Sequence, residues 1–308
     1  MCTQIWDYES GQIERTLKGH TNAVQCVAFS PSGALLASCS ADLSIKLWDF
    51  TSFECLRTMR GHDHNVSSVL FLPSGDQVVS CSRDQSIKFW DTNTGYCIRT
   101  ISGTHTDWVR CLALNAEGSL LASAGNDACI LIWNVGSGRQ VQALREHEHV
   151  VETIAFSNTE ADIVLRGAAA GSGVSSIVPA VASAAADAPG SGVGAALGTS
   201  GSTTGQFIIS GSRDRSIRIF SVLTGLCVAL FRDNENWVRA VTFHPNGKFA
   251  LSVAEDKTIR VFDLKTSRCI RTLADAHNGF ITSLAMHPTL PFLITGGVDR
   301  LAKVWECV

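Results

Sequence analysis

Short apolar runs of four to seven residues, separated by turn residues, recur along almost the whole chain. In one unit the runs are VQCVAF, LLASCS, SIKLWD and CLRTM, with the turn SPSG between the first two. Runs of this length, bounded by Gly, Pro, Ser or Asp, are typical of β-strands. The pattern therefore predicts an all-β protein built from four-stranded units, essentially without helices.

The units repeat at a nearly constant interval. The third run of each unit contains an aromatic residue, and successive aromatics are 42 or 43 residues apart, except for one interval of 87. These aromatic residues are Trp6, Trp48, Trp90, Trp133, Phe220, Phe262 and Trp305. A repeat this regular indicates a fold in which each unit packs only against its neighbours.

The units resemble those of the WD-repeat family. Its characteristic dipeptides occur at Gly19-His20, Gly61-His62, Trp48-Asp49 and Trp90-Asp91. The period is the one expected of a four-stranded propeller blade. The resemblance implies a WD-repeat β-propeller with six full repeats plus a fragment of a seventh, and seven blades in the intact family member.

The chain opens on the end of a repeat. Residues 1–18 are predicted to end a truncated leading blade, and residues 19–308 to form the propeller. Two arrangements remain open. Residues 11–17 could pair with the last unit as its outer strand and close six blades, because an open edge strand invites aggregation. Alternatively the intact protein has seven blades and this chain lacks part of one, which the repeat ending at 5–7 favours.

The long interval contains an insertion at about 158–205. Its sequence, RGAAAGSGVSSIVPAVASAAADAPGSGVGAALGTSGSTTG, is rich in Ala, Gly and Ser and nearly uncharged. Such a segment cannot bury a specific face, so it predicts a disordered loop between the first two strands of its blade. An Ala-rich helix and a partner-binding tail are the alternatives.

Composition narrows the partners and the compartment. The net charge of −3 argues against nucleic acid or an anionic membrane as the partner, and no apolar run is long enough to span a bilayer. The 11 cysteines include no CxxC motif. Four of them share one slot in the repeat. We predict that these four are small buried apolar residues in a reducing, cytosolic compartment, rather than zinc ligands or members of disulfides. These are Cys55, Cys97, Cys227 and Cys269.

His20, Ser38 and Asp42 could be mistaken for a catalytic triad, but near-copies recur around the ring. A nucleophile site needs one activated serine beside an oxyanion hole, so the repetition predicts a structural His–Ser/Thr–Asp–Trp network instead. Where RDNEN replaces Gly-His, the tryptophan becomes Phe262, and we expect both ends of the network to be lost together. No GxxxxGK[ST], HExxH or GxSxG motif occurs, so we predict no enzyme, cofactor or metal.

The repeats also show where individual units depart from their own average. Arg83 and Arg213 precede the repeated Asp in SCSRDQS and SGSRDRS, where other units have Ala, Asn, Glu or Val. The turn with this Asp and the start of the first strand are expected on one rim. Two units carry Trp-Val-Arg there. Slots on this rim from four consecutive units form a predicted basic arc: Arg83, Trp108, Arg110, Arg213, Trp237, Arg239 and Lys257.

Arginine and tryptophan are enriched at binding hot spots, and arginine suits bidentate capture of carboxylates. The basic arc therefore predicts a recognition surface for an acidic partner. The alternative is that the tryptophans pack on loop backbone while the arginines are solvated or pair with local aspartates.

Local stretches narrow the resemblance further. The segments GHDHNVSSV, FECLRTMRGH, TGYCIRT, LREHEHVVE and KVWECV are similar to the lissencephaly protein family. Members regulate cytoplasmic dynein through a propeller face that grips the motor ring. Motif by motif, the family's dynein-contacting residues match Arg83, Arg110, Arg213, Trp237 and Lys257. Two departures are the absent N-terminal dimerisation region and a loop before Trp237 that is one residue longer.

The resemblance implies a non-catalytic regulator that binds the dynein motor domain and controls microtubule-based transport, nuclear positioning and spindle function. It implies dynein adaptors and the catalytic subunits of a platelet-activating-factor acetylhydrolase as further partners, and a homodimer for the intact member. The expected location is cytoplasmic, at microtubules, centrosomes or spindle poles. The alternative is a general WD-repeat scaffold, or a subunit of a complex, with another acidic protein partner.

Overall fold

A computed structural model describes residues 2–171 and 205–307, which contain 25 strands and one helix, α1 (Thr159–Gly171). The strands are β1 (Cys2–Trp6), β2 (Ile13–Lys18), β3 (Val24–Phe29), β4 (Leu35–Ser40), β5 (Ser44–Asp49), β6 (Cys55–Arg60), β7 (Val66–Phe71), β8 (Gln77–Ser82), β9 (Ile87–Asp91), β10 (Cys97–Ile101), β11 (Val109–Leu114), β12 (Leu120–Gly125), β13 (Ile130–Asn134), β14 (Gln140–Leu144), β15 (Val151–Phe156), β16 (Phe207–Ser212), β17 (Ile217–Ser221), β18 (Cys227–Phe231), β19 (Val238–Phe243), β20 (Phe249–Ala254), β21 (Ile259–Asp263), β22 (Arg268–Leu273), β23 (Ile281–Met286), β24 (Phe292–Gly297) and β25 (Ala302–Glu306).

The strands form antiparallel sheets in chain order. Five sheets have four strands, namely blade A (β3–β6), blade B (β7–β10), blade C (β11–β14), blade D (β15–β18) and blade E (β19–β22). Blade F has three strands, β23–β25, and β1 pairs with β2 in a separate N-terminal sheet. The first strand of each blade packs on the first strand of the next, from β3 on β7 to β19 on β23. The predicted fold, a six-repeat β-propeller with a fragment of a further unit, is confirmed.

The N-terminal sheet lies between blade F and blade A. Strand β2 pairs with β1 from Cys2↔Lys18 to Trp6↔Ile13, so the alternative in which residues 11–17 complete the last unit is wrong. The nearest partner along the chain takes this strand, because a short hairpin closes at little entropic cost. On one side the Tyr8 ring lies 5.8 Å from that of Phe292 in blade F. On the other, Leu17 packs with Leu36 and Trp48 of blade A.

Burial decreases from the middle of each blade to its outer strand. In β8 five of six residues are buried, because neighbouring blades cover both faces of the sheet. Burial along the second and third strands of a blade is therefore nearly continuous instead of alternating. The outer strand β6 buries only Met59 of its six residues.

The four cysteines at the shared slot lie at or near the start of outer strands, and the prediction that they are buried is wrong. Cys55 and Cys97 are exposed, while Cys227 and Cys269 are half-buried. Each thiol faces the carbonyl two residues further on, for example Cys55 Sγ to Arg57 O at 3.3 Å. The outer strand has solvent along its free edge, so an apolar-looking residue there gains little burial.

Helix α1 contradicts the disorder predicted for the start of the insertion. Asn158 caps the helix, its Oδ1 accepting the N–H of Ala161 at 2.8 Å. Ala161 and Leu165, one turn apart, pack into the core formed by blades D and E. The Asn158 amide also donates to the His244 carbonyl of blade E at 3.1 Å. The rest of the predicted disordered loop, 172–204, lies outside the described residues.

Candidate functional site

One backbone hydrogen bond per blade fixes the rim on which the basic arc lies. The N–H of Arg83 donates to the carbonyl of Asn65 at 3.0 Å, and that of Arg213 to Val150 at 2.9 Å. Each acceptor directly precedes the first strand of its blade. The bond thus holds the residue before the repeated Asp beside the entry to the first strand, as the sequence predicted.

The two turn arginines lie over the tryptophans of the following blades. The guanidinium carbon of Arg83 is 4.4 Å from the ring centroid of Trp108, and that of Arg213 is 4.2 Å from Trp237. These are cation–π distances, and each pair crosses the seam between two blades. The alternative, in which the tryptophans pack on loop backbone while the arginines are solvated or pair with local aspartates, did not include these stacked contacts. Arg213 does, however, also pair with a local acid, Glu152.

Glu152, on β15 of blade D, links arginines of the basic arc from blades C, D and E. Its carboxylate accepts from Arg213 Nε at 2.5 Å and lies 3.5 Å from Arg110 Nη1 and 3.4 Å from Arg239 Nη1. The carboxylate side chain is 9% exposed, whereas the three guanidinium side chains are 19–25% exposed. One nearly buried acid therefore holds arginines from three consecutive blades in a fixed arrangement.

Two further polar groups orient the arginines. The Oδ1 of Asn126 accepts from Arg110 Nε at 2.6 Å, and the Glu255 carboxylate lies 3.5 Å from Arg239 Nε. Burial, together with the positive charges of Arg213 and Arg83, lowers the pKa of Arg110, although Glu152 opposes this. The surface is thus crowded with positive charge that the local carboxylates compensate only in part.

Direct contacts join six of the seven predicted residues in two groups: Arg83 with Trp108, and Arg110, Arg213 and Arg239 through Glu152 with Trp237 stacked on Arg213. Lys257 lies on the turn of blade E. Lys257 has a left-handed backbone with φ of 65°, and it is half-buried. Within residues 2–171 and 205–307, neither Lys257 nor Arg83 forms a salt bridge. Both charges therefore remain available to a partner.

Glu152 was missed as a functional residue by sequence reasoning, although a signal was present. It occupies the same first-strand slot as Arg110 and Arg239, in the unit between the two Trp-Val-Arg units. An acid at a slot flanked by arginines on both sides is the arrangement expected of a central counter-ion. Its role became evident only when the blades were seen side by side.

The predicted polar network is present in blade B. Asp84 lies 2.7 Å from His62 Nδ1, whose Nε2 lies 2.8 Å from the Ser80 hydroxyl, and Trp90 Nε1 donates to that hydroxyl at 2.8 Å. When the His62 proton is on Nδ1, every donor in this series of hydrogen bonds has an acceptor. Blades A, C and F contain the same network, with Thr295 in place of serine in blade F.

Blade D keeps the histidine but replaces the tryptophan with Phe220. His147 still binds Ser210 at 2.7 Å and Asp214 at 2.8 Å. In blades A and B a glycine precedes the histidine, and a Cβ at Gly61 would lie 3.3 Å from the Trp90 ring. In blade D Glu146 stands at this position, and it binds Arg218 at 3.0 Å.

In blade E both ends of the network, the histidine and the tryptophan, are absent as predicted, and other contacts take their place. Asn234 stands in the histidine position, and its Oδ1 accepts from Arg260 Nη1 at 3.0 Å. Arg260 also binds Asp256 at 2.7 Å, so the aspartate keeps a cationic partner. The sequence did not indicate these replacement contacts, because Arg260 lies on β21 and its position takes no part in the network of the other blades.

The network makes stability depend on pH in acid. Burial alone would raise the pKa of Asp84, but hydrogen bonds from His62 and Ser86 outweigh it and hold the pKa below its usual range. Asp42 and Asp214 are shifted in the same direction. A lowered folded-state pKa stabilises the fold above the unfolded value of about 3.9, and that contribution disappears as pH falls further.

We therefore expect the urea midpoint to fall steeply between about pH 4 and pH 2. Replacing Asp84 with Asn should lower the midpoint at pH 7 and flatten this acid limb, because one depressed carboxyl is removed. Equilibrium unfolding followed by circular dichroism at pH 7, 4 and 3 measures both effects. An acid limb of equal steepness in the variant would contradict the assignment.

Among the described residues, no cluster of three or more His, Cys, Asp or Glu side chains could hold a metal ion. The helix in this part of the chain is neither long nor apolar enough to cross a membrane. Charged and aromatic side chains of the basic arc lie together on one rim of the propeller.

Fold and repeated network define a WD-repeat β-propeller. The chain matches the family described as "WD domain, G-beta repeat" at residues 11–49, 53–91, 95–134, 196–221, 225–263 and 267–306. It is 38% identical to nuclear distribution protein PAC1 of Ajellomyces capsulatus over 92% of this chain, and 37% identical to PAC1 of Yarrowia lipolytica over 98%. The chain belongs to the nuclear distribution (PAC1/NudF) and lissencephaly family of WD-repeat proteins.

A third relative, the Lissencephaly-1 homolog of Dictyostelium discoideum, is 50% identical over 53% of this chain and 35% of its own length. The chain covers 58% of the Ajellomyces protein and 68% of the Yarrowia protein. It thus spans about three-fifths of the length of the first PAC1 relative and about two-thirds of the second.

Proposed function

We propose that this chain is a non-catalytic regulator of cytoplasmic dynein, which binds the motor domain through the basic arc. In this role it controls microtubule-based transport, nuclear positioning and spindle function. The observation that carries the proposal is the continuity of the arc across blades B to E, with Glu152 at its centre. Relatives with "nuclear distribution" and "Lissencephaly-1" in their names support it.

The geometry favours an acidic, partly apolar partner surface. Arg83 and Arg213 lie on tryptophan rings, so their guanidinium groups lose little conformational entropy when a carboxylate binds. The tryptophans are half-buried and offer an apolar edge beside each charge. A surface prepared in this way binds with its side chains already positioned, and the binding should weaken with salt.

The expected partners are those of the resemblance: the motor domain first, then dynein adaptors and acetylhydrolase catalytic subunits. To each of these partners the chain would contribute binding and no catalytic activity. The proposed location is cytoplasmic, at microtubules, the centrosome or the spindle pole. A general scaffold with another acidic partner would use the same surface, and it would be favoured by recovery of a complex without dynein.

Arg213→Ala and Trp237→Ala should each weaken binding of the full chain to a purified dynein motor domain by roughly 30-fold or more. This corresponds to hot-spot losses of about 2 kcal/mol. Both side chains belong to one stacked pair, so the double variant should lose less than the product of the single losses. Surface plasmon resonance or microscale thermophoresis at two salt concentrations measures the affinities.

Two matched variants serve as controls. Arg300 is an exposed turn arginine of blade F outside the basic arc, and Tyr96, 77% exposed, follows the turn between β9 and β10 at the opposite end of its blade. Arg300→Ala and Tyr96→Ala should leave the affinity within about twofold. Unchanged affinity in both Arg213→Ala and Trp237→Ala would refute the proposal.

A further inference from the structure

Among the six blades in the described part of the chain, only blade F ends after three strands. Its third strand, β25, pairs with β24 from Phe292↔Glu306 to Gly296↔Ala302, and no strand of residues 2–171 or 205–307 pairs with its other side. In blades A to E the corresponding strand is followed by a fourth antiparallel strand. We call the unpaired side of residues 302–306 the β25 edge. Its backbone N–H and C=O groups are open to an added strand.

The side chains of β25 are more exposed than their counterparts in complete blades. Val304 is 44% exposed, whereas Leu47 and Phe89, at the same position in blades A and B, are each 1% exposed. Trp305 is half-buried, whereas Trp90 is buried. Apolar surface that complete blades bury therefore remains accessible beside the β25 edge.

A cavity of about 380 Å³ lies on one side of β25, in the seam between blades E and F. Its lining is mostly apolar and includes Trp305, Leu251, Ile259, Leu273 and Leu293. Paired residues of neighbouring strands lie on the same face of a sheet, so a residue paired with Trp305 would border this cavity. In blade E that place is taken by Cys269 of the fourth strand, which pairs with Phe262.

The complete blades show which side chains a fourth strand needs. In blades A, B and E the aromatic residue pairs with a cysteine, the basic residue two positions before it pairs with a threonine, and the isoleucine before that pairs with a large apolar residue. These pairs are Trp48↔Cys55, Lys46↔Thr58, Ile45↔Met59, Trp90↔Cys97, Lys88↔Thr100, Ile87↔Ile101, Phe262↔Cys269, Arg260↔Thr272 and Ile259↔Leu273. Strand β25 has Trp305, Lys303 and Ala302 at the three positions.

We propose that the β25 edge binds an extended segment of a protein partner, which adds antiparallel to β25 as the fourth strand of blade F. The segment has a small residue opposite Trp305, a threonine opposite Lys303 and a large apolar residue opposite Ala302. Backbone hydrogen bonds supply affinity, and the alternate side chains supply specificity. The β25 edge contains no residue of the basic arc, so this inference does not rest on the proposed dynein role.

Two other occupants fit less well. Strand β2 has a similar sequence, IERTLK, but it is already paired with β1 from Cys2↔Lys18 to Trp6↔Ile13. A second copy of this chain could pair its own β25 edge around a two-fold axis. In the symmetric pairing that overlaps the whole strand, Trp305 would face Lys303 of the second copy. Complete blades place a cysteine there instead of a long charged side chain.

The test titrates the full chain, labelled with fluorotryptophan, with a peptide that has the sequence of β22 and alanine in place of cysteine. The peptide is acetyl-Ser-Arg-Ala-Ile-Arg-Thr-Leu-Ala-amide, and ¹⁹F NMR follows the Trp305 signal, which Trp305→Phe identifies. We expect a saturable shift of this signal, while the signal of the buried Trp90 stays in place. Ala302→Glu should weaken the binding about tenfold, because it places a carboxylate against the peptide leucine.

Matched controls test whether the sequence pattern and the edge are specific. A peptide of the same composition, with the leucine and the second arginine exchanged, should not shift the Trp305 signal. Leu56→Glu, at an exposed position on the outer strand of blade A, should leave the affinity within about twofold. No Trp305 shift with either peptide would overturn the proposal, and so would equal binding of both peptides or equal weakening in Leu56→Glu.

Analytical ultracentrifugation of the chain without peptide tests the remaining occupant. We expect no dimer that depends on the β25 edge. A dimer that forms with increasing concentration, shifts the Trp305 signal and is abolished by Ala302→Glu would identify a second copy as the occupant. That result would also overturn the proposal.

Discussion

Trp90→Ala is expected to lower the free energy of unfolding by roughly 3–5 kcal/mol, the range for truncating a buried aromatic residue. The Trp90 side chain is 1% exposed and belongs to the core that joins blades A and B. Its indole N–H donates to Ser80, which in turn binds His62. The substitution thus leaves a cavity and interrupts the network at the same time. Urea or guanidinium unfolding monitored by circular dichroism measures the change.

Trp305→Ala is the matched control, because Trp305 makes the equivalent bond to Thr295 at 2.8 Å in blade F but is only half-buried. It should cost clearly less than Trp90→Ala. Trp90→Phe should lie between them, since the aromatic volume is mostly kept and only the hydrogen bond is lost. Equal losses for the two alanine variants would mean that the hydrogen bond, and not burial of the ring, determines the energy.

The repeat made most of the fold predictable, since its turn residues and apolar runs recur at one period, and each copy checks the others. The start of the insertion was mispredicted because its docking depends on blade E. A Cβ at Gly247 would lie only about 2.2 Å from the backbone of Glu160 in α1, so only glycine permits this contact between the helix and blade E. A residue far along the chain thus decides whether Ala-rich sequence forms a packed helix, and composition does not contain that information.

The candidate site was predictable in its position but not in its contacts. Comparison of the units placed Arg83 and Trp108 on the same rim, because both positions are fixed within a blade by backbone bonds. The stacking of one on the other crosses a seam, however, and depends on the relative placement of two blades. The same limit concealed Glu152, whose three arginine partners come from its own and both adjacent blades.

Glu152→Gln should lower the free energy of unfolding by about 1–3 kcal/mol at low salt, the cost of leaving charged groups without their partner at a partly exposed site. Glutamine keeps the size of the side chain but removes the negative charge that offsets the mutual repulsion of Arg110, Arg213 and Arg239. Salt screens repulsion, so the stability difference from wild type should narrow at about 0.5 M sodium chloride. Unfolding midpoints at low and high salt measure this difference.

Glu255→Gln tests whether the central position matters. Glu255 is an acid of similar burial whose one salt bridge within the described residues is to Arg239, at 3.5 Å, and its loss should cost less than about 1 kcal/mol. Combining Glu152→Gln with Arg213→Gln removes the closest of the three guanidinium groups together with the acid. The double variant should therefore be more stable than the sum of the single losses predicts, because less repulsion remains. Additive losses would show that Glu152 acts through its local packing, and that the arginines of the arc tolerate one another without it.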